Sequence, residues 1–322
     1  RLDTAGAILI VELIGVEKAQ AVADWAAELP KEQQALLVRI AEAMEAPLDV
    51  DPPSYSRINQ ALASVGQHMV GLWSQQRQLL AFIGLVVATL FQLVLRPRHW
   101  RLTATVAHIQ QSGLNAVPIV ALLTFMVGAV VAFLGATVLQ DFGATIYTID
   151  LVAFSFLREF GVLLAAILLA GRTASAFTAQ IGAMKSNEEI DALQAQGLDP
   201  IELLVLPRVM AMLISLPMLA FVGMLSGLAG GAMVTSLSLD ISLTQFLTTL
   251  QKDVSVTHFL VGLSKAPVFA FVIAVIGCLE GFKVSGSAQS VGEHTTSSVV
   301  QSIFMVILID AVAALFFMEM GW

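Results

Sequence analysis

An arginine and a glutamate stand side by side at Arg158-Glu159, inside a segment, Leu151–Met184, that is otherwise apolar except for Arg172. A charge in membrane hydrocarbon costs several kcal/mol unless it is paired or faces a cavity. The pair could therefore line a substrate pathway or belong to a polar network that organises a helix bundle. It suits equally well a structural pair near a membrane interface, only about eight residues beyond Asp150.

A polar stretch between two apolar segments, Lys185–Pro200, is the second arrangement of interest. Asn187 can cap a helix whose first turn is acidic, and Gly197 followed by Pro200 can end it. The helix would carry three apolar points, which are Ile190, Leu193 and Leu198. A docking surface for a cytoplasmic partner explains these points, whereas a plain connecting loop does not need them. A solvated loop helix is the alternative.

Neither a catalytic nor a metal-binding arrangement is visible. No Gly-rich loop ends in Gly-Lys-Ser/Thr, the phosphate-binding pattern of many ATPases. The single cysteine, Cys278, and five scattered histidines lack the spacing of a zinc site. We therefore expect no catalytic residues, no metal and no enzyme activity in this chain. If ATP drives the protein, the ATPase is another chain.

The composition identifies the elements that must position these residues. Of 322 residues, 57% are hydrophobic and 12% are charged, and the mean hydropathy is +0.84. These values exclude a soluble enzyme with one buried core and predict an all-α integral membrane protein. The net charge of −8 argues against a broad nucleic-acid surface.

Five apolar segments are long enough to span a membrane. They are Leu114–Gln140, Leu151–Met184, Val209–Leu239, Val254–Leu279 and Thr295–Phe317. An amphipathic stretch over residues 58–95 precedes them, and its apolar part, Gln78–Leu95, has the minimum length of a span. We expect an interfacial helix here, in the plane of the membrane or as a hairpin-like elbow, with a sixth span as the alternative.

Positive residues beside the spans predict the orientation. With five spans, one side receives Arg96, Arg98, Arg101, Lys185, Arg208 and Lys283, and the other receives Lys252 alone. The first side is therefore expected to be cytoplasmic. The C-terminus at Trp322 is expected on the opposite side, and an elbow before the first span keeps the N-terminal segment in the cytoplasm.

The N-terminal segment has a different composition. Residues 1–50 are rich in acidic groups among short apolar stretches, such as Ala5–Ile14 and the helix-like Lys31–Met44, and indicate a small α/β segment. Residues 51–57 form a predicted linker, because prolines fix φ and remove hydrogen-bond donors. The chain starts at Arg1 without a methionine, and we expect that further residues precede it.

An ordered string of motifs in this sequence resembles the MlaE/YrbE permease family. The motifs are Leu157-Arg158-Glu159-Phe160-Gly161, Ala170-Gly171-Arg172, Ser175-Ala176, Ile181–Lys185, Glu188–Leu193, Gly197–Pro200, Pro207-Arg208, Lys265, Gly277-Cys278, Gly281 and Gly292–Thr296. The similarity covers roughly residues 58–322. It makes residues 96–322 a permease domain.

This resemblance implies the membrane subunit of an ABC-type lipid transporter in a bacterial inner membrane. Such a permease forms a homodimer and works with a separate ATPase subunit, which holds ATP and magnesium, so this chain needs no cofactor. The implied substrate is phospholipid, which moves between the inner membrane and a periplasmic carrier protein with an MCE domain. No nucleic-acid partner is implied.

Residues 1–50 are similar to the C-terminal part of a STAS domain. Asp3-Thr4-Ala5-Gly6 matches the start of the STAS helix, where the hydroxyl residue can be a regulatory phosphorylation site. An N-capped helix in which Thr4 has no further role explains the same residues. The resemblance implies that a STAS protein is a possible additional partner, or that this cytoplasmic segment replaces it.

The resemblance also assigns roles to the two arrangements described first. The polar stretch coincides with the family's coupling helix, which contacts the ATPase. The expected coupling residues are Glu188, Glu189, Ile190, Asp191, Leu193, Gly197 and Asp199. A phospholipid also needs an apolar cavity with a positive group at its rim, and the residues expected to line it are Arg158, Glu159, Phe154, Phe125, Met126 and Phe133.

Two other functions compete with lipid transport. STAS domains also occur on secondary anion transporters, but five spans without an inverted repeat argue against most of these. A non-transporting membrane scaffold is the third hypothesis. Co-purification of an ATPase would favour the permease over both.

Overall fold

The computed structural model describes residues 3–45, 57–95 and 100–321 of the chain. These residues form helices and loops, and no strand occurs among them, in agreement with the predicted all-α membrane class. Contacts divide the chain into two compact units, Arg1–Gly71 and Leu72–Trp322. The predicted linker lies, except for Arg57, outside the described residues, as do Arg96 and Arg98.

The described residues 3–45 of the first unit form four helices before the long helix that follows. They are α1 (Thr4–Ile14), α2 (Val16–Gln20), α3 (Val22–Trp25) and α4 (Lys31–Glu45). The Asp3 side chain caps α1 by accepting a hydrogen bond of 2.8 Å from the backbone N–H of Gly6. Gly15 ends α1 with a φ of 87°, a conformation that suits glycine because it has no Cβ.

The α/β character expected of the N-terminal segment is not seen in residues 3–45. Within α1 the buried residues are Ala7 and Val11, which are four positions apart and therefore lie on one face of a helix. They pack against Leu37 and Ala41 of α4. A strand there would need a partner strand for its backbone groups, whereas helices satisfy these groups internally.

Residues 57–94 form one continuous helix, α5 (Arg57–Val94), so the hairpin-like elbow is wrong. At 1.5 Å per residue this helix is about 57 Å long. Gly66, Gly71 and Gly84 lie within this helix without interrupting it. Within the second unit, Leu79 and Val86 of α5 are buried against the core.

Six helical stretches of the described residues are long and apolar enough to cross a membrane, one more than predicted. The additional stretch is Leu62–Leu93 in α5. The other five contain the predicted spans almost completely and are Leu102–Gln140, Thr145–Ser186, Ile201–Ser238, Val256–Lys283 and Ala288–Glu319.

In the second unit, residues 100–321 form ten further α-helices. They are α6 (Leu102–Ser112), α7 (Val117–Gln140), α8 (Thr148–Phe154), α9 (Gly161–Leu169), α10 (Ser175–Ser186), α11 (Glu189–Ala195), α12 (Leu206–Ser238), α13 (Leu243–Asp253), α14 (Val256–Lys283) and α15 (Ala288–Glu319). Helix α12 is central and packs against α6, α7, α9 and α14.

Glycines allow α7 and α12 to approach closely. A Cβ added at Gly128 would lie 2.1 Å from the carbonyl oxygen of Gly227, and one at Gly230 would lie 2.0 Å from that of Phe125. Neither position has room for a side chain. In lipid such small-residue contacts hold helices together, because the hydrophobic effect does not drive helices out of hydrocarbon.

Three π-helical turns interrupt or precede the α-helices, at Ser155–Phe160, Ala170–Ala174 and Ile201–Val205. Each contains at least one charged residue in an apolar helix, and Arg158-Glu159 lies in the first. Such turns often occur at functional sites, because the extra residue redirects the side chains that follow.

Candidate functional site

A buried lysine, Lys265 on α14, joins two carboxylates from other helical segments. Its Nζ donates to Glu159 Oε2 at 2.5 Å and to Asp310 Oδ1 at 2.8 Å. The Lys265 side chain is only 2% exposed. One buried cation between two anions would leave a net negative charge, which favours a second cation nearby.

Arg158 supplies that second cation. Its Nε lies 3.7 Å from Glu159 Oε1, so the cluster of Arg158, Glu159, Lys265 and Asp310 is formally neutral. We call these four residues the charged cluster. Arg158 and Glu159 are 19% and 27% exposed at their side chains, whereas Lys265 is enclosed. The charged cluster therefore has one accessible edge, formed by Arg158 and Glu159.

A close backbone contact positions Lys265. A Cβ added at Gly262 of α14 would lie 2.1 Å from the carbonyl oxygen of Leu157 in the π-helical turn. Only glycine permits α14 to approach this turn so closely. Since Lys265 follows Gly262 by three positions on the same helix face, this contact brings its ammonium group to Glu159.

His258 and Phe154 stand beside the accessible edge. Arg158 Nη1 lies 3.4 Å from His258 Nδ1, and the His258 ring is 4.4 Å from the ring of Phe154, centroid to centroid. Phe154 is exposed. The edge thus combines a cation with an exposed aromatic ring, which can contact an anionic group and an attached apolar chain.

The structure brings together only part of the predicted lipid pathway. Phe154, Arg158 and Glu159 lie at one place, as described. Met126 and Phe133 are exposed on α7, and Phe125 contributes the backbone carbonyl that meets Gly230. The α7 residues that pack beside the π-helical turn are others, namely Val127, Val131 and Ala132.

The sequence motifs included Lys265 without a partner, and Asp310 was not among the candidate residues. Their partnership with Glu159 was missed, although a signal existed. Each of three apolar spans carries charges that must be compensated, and Lys265 is the positive residue that Glu159 and Asp310 have in common. A buried charge in a membrane segment calls for a partner of opposite sign.

A second buried ionic group, also absent from the predictions, surrounds Glu280 near the end of α14. Glu280 Oε1 lies 2.7 Å from Lys283 Nζ, and Glu280 Oε2 lies 2.7 Å from His294 Nδ1 on α15. The Glu280 side chain is buried. This group fastens the ends of α14 and α15 to each other.

The predicted coupling residues lie on and around α11. Ile190 is buried in the core of the second unit, whereas Glu189 and Asp191 are exposed on the same short helix. Glu188 precedes it with a φ of 58°, and Gly197 follows it with a φ of 74°. Ile190 therefore anchors the helix, and its acidic residues remain accessible.

Both ends of the α11 segment are fixed to the spans. Asp199 accepts a hydrogen bond of 2.8 Å from the backbone N–H of Ile201. Lys185 donates to the carbonyl oxygen of Phe282, and Arg208 donates to Gln180 Oε1 at 3.1 Å. Hydrogen bonds thus link the helices on either side of α11, which are α10 and α12, to each other and to α14.

The chain is similar to proteins of known family. The family model described as "Permease MlaE" matches residues 105–316. A probable ABC transporter permease protein of Rickettsia felis is 36% identical over 61% of this chain and 76% of its own length. A probable ABC transporter permease protein of Synechocystis sp. is 34% identical over 75% of this chain and 90% of its own.

A plant protein is also similar. The chloroplastic protein TRIGALACTOSYLDIACYLGLYCEROL 1 of Arabidopsis thaliana is 30% identical over 69% of this chain and 63% of its own length. The family model covers more than half of the chain, and the apolar helices give it the length and composition to cross a membrane several times. This multi-pass membrane protein belongs to the MlaE permease family of ABC transporters.

Proposed function

We propose that this permease subunit moves phospholipid between the inner membrane and a periplasmic MCE-type carrier. It would act as a homodimer, with ATP and magnesium bound by a separate ATPase. The observation that carries the proposal is the accessible edge of the charged cluster. There Arg158 and Glu159 stand beside the exposed ring of Phe154, within helices able to span a membrane.

The chemistry of this edge fits a lipid headgroup. Arg158 presents a guanidinium group, which can donate two parallel hydrogen bonds to a phosphate. Glu159, Lys265 and Asp310 together keep the cluster neutral while it is empty, which limits the cost of holding Arg158 in hydrocarbon. Phe154 and the helices around it offer apolar surface for the acyl chains.

One relative supports lipid as the substrate class. The Arabidopsis protein bears the name of a galactolipid, trigalactosyldiacylglycerol. We extend to this chain only the diacylglycerol part of that chemistry, which phospholipids share. The family assignment disfavours the alternative of a secondary anion transporter, because its relatives are named as ABC permeases.

Arg158→Ala and Glu159→Ala test the proposal. Each variant should lower the lipid that co-purifies with the complex and should slow lipid transport, while the ATPase stays bound. Arg158→Lys is the matched control and should keep part of both activities, because the positive charge remains. Lipid content should be measured by mass spectrometry, and transport by transfer between proteoliposomes and the carrier.

Normal lipid content and full transport in both alanine variants would show that the pair is structural. The proposed path would then be wrong. Dissociation of the ATPase from these variants would likewise contradict it, because the coupling residues lie on a different segment.

A further inference from the structure

An apolar cavity of about 430 Å³ lies beside the middle of α12. Helices α6, α7 and α14 complete its wall, with Ile109, Val117, Met218, Val222 and Leu263 among the lining residues. Its volume falls in the range of small-ligand sites. These helices belong to stretches that are long and apolar enough to cross a membrane.

The cavity contains one polar group without a partner. The hydroxyl of Ser215 lines it, is buried, and has no hydrogen-bond partner among the described residues. Pro217 lines the cavity two positions later and has no backbone N–H to offer a ligand. A buried unpaired hydroxyl costs free energy, and the ester carbonyl of a lipid could accept its hydrogen bond.

A second cavity has a volume of about 290 Å³. Leu157, the neighbour of Arg158, lines it together with Phe259. Phe221 lines both cavities. The rings of Phe221 and Phe259 are in edge-to-face contact, with centroids 6.0 Å apart, so this pair of side chains separates the two spaces.

We propose that the cavity beside Pro217 binds an acyl chain of the transported lipid. Phe221 and Phe259 then form the gate through which this chain reaches the second cavity beside Arg158. The inference rests on the proposed lipid transport and adds a tail site to it. Rotation of two aromatic side chains opens such a gate without a change in the helices, since side-chain rotamers interconvert rapidly.

Site-specific photo-crosslinking tests the occupant. Benzoylphenylalanine is placed at position 218 in the complete complex in phospholipid nanodiscs, with and without ATP. The control position is Leu225, which is two turns further along the same face of α12, is similarly exposed, at 51% against 59%, and lines neither cavity.

Lipid adducts at position 218 should fall roughly tenfold during ATP turnover, because the site is then loaded for only a fraction of the cycle. Adducts at position 225 should not change. If adducts form equally at both positions and do not depend on ATP, the crosslinked molecules are bulk membrane lipid only. Adducts to a second copy of the chain would mean an interface between copies. Either result would overturn the proposal.

Filling the cavity gives a second measurement. Met218→Trp should lower retained lipid roughly tenfold, since overpacking an apolar site costs about that much binding, and Leu225→Trp should not.

Arg158→Ala in the same assay separates the two proposals. If lipid is lost from Arg158→Ala but not from Met218→Trp, the tail site is wrong and the proposed lipid transport stands. If neither variant loses lipid, both proposals are wrong. Loss in Met218→Trp alone would support the tail site and contradict the headgroup role of Arg158.

Discussion

At the scale of single residues, Lys265 decides whether the charged cluster is stable. Its ammonium group lies within 2.8 Å of oxygens from both Glu159 and Asp310, so its removal leaves two carboxylates facing each other. A buried ion pair contributes little relative to well-packed apolar residues, but removal of one partner is strongly destabilising. The free energy of unfolding should therefore depend on whether the buried charges are compensated and not on how many charges there are.

Lys265→Met should destabilise the permease by about 3–5 kcal/mol. The double variant Lys265→Met, Asp310→Asn should recover much of this loss, because the remaining carboxylate of Glu159 is still paired with Arg158 and the cluster stays neutral. Thermal unfolding of the purified protein in detergent measures both. A double variant no more stable than Lys265→Met would show that the cluster stabilises the fold by geometry and not by charge compensation.

At the scale of elements, the α7–α12 pair depends on residues without side chains. The carbonyl oxygen of Gly227 occupies the place where a Cβ of Gly128 would lie. A backbone atom cannot move aside as a flexible side chain can. The two helices must therefore separate if Gly128 is replaced, and the packing around α12 must change with them.

Gly128→Ala should lower the free energy of unfolding by roughly 1–3 kcal/mol, as overpacking does. Gly292→Ala on α15 is the matched control, since no atom lies within 4 Å of its Cβ position. Alanine there should be neutral or stabilising by up to about 1 kcal/mol, because of its helix propensity. Equal melting temperatures for the two variants would refute the close-contact argument.

The short helix α11 is the element proposed to meet the ATPase. Charge reversal of both Glu189 and Asp191 to lysine should reduce ATPase binding while insertion into the membrane is unchanged, because both side chains are exposed. Affinity pull-down of the ATPase with the permease measures this. The control is the reversal of Asp141 and Asp253, which are exposed near the opposite ends of the spans. Undiminished pull-down with the first pair would count against docking at α11.

At the scale of the whole molecule, the direction of α5 decides where the N-terminal unit lies. We expect a cysteine at position 245 to react with an impermeant reagent from outside, and cysteines at 42 and 196 to be protected. The native Cys278 is buried and should not interfere. Reaction of position 42 from outside would mean that α5 crosses the membrane and that the five-span topology is wrong.

The fold class, the five later spans and the position of α11 followed from the sequence. Long uncharged segments leave a chain few alternatives in lipid, and Gly197 is a local stop signal for α11. The predicted cap was wrong, because Glu188 and not Asn187 stands at the N-cap of α11. The continuity of α5 was not predicted, because its apolar part is short and its first half is amphipathic. The partnership of Lys265 with Asp310 could not be derived from spacing, since it depends on how α14 and α15 pack.

The sequence identified Arg158 and Glu159 by their polarity, but the direction in which their side chains point depends on the π-helical turn. A π-helical turn holds one residue more than an α-helical turn. Deleting one residue between Ser155 and Leu157 would allow a regular α-helix there, and would rotate the preceding segment by about 100° relative to α9. Phe154 would then leave His258, although no side chain of the cluster had been changed. The number of residues in this turn is thus as much a part of the site as their identity. An insertion or deletion here is expected to abolish the proposed lipid binding, which substitutions only weaken.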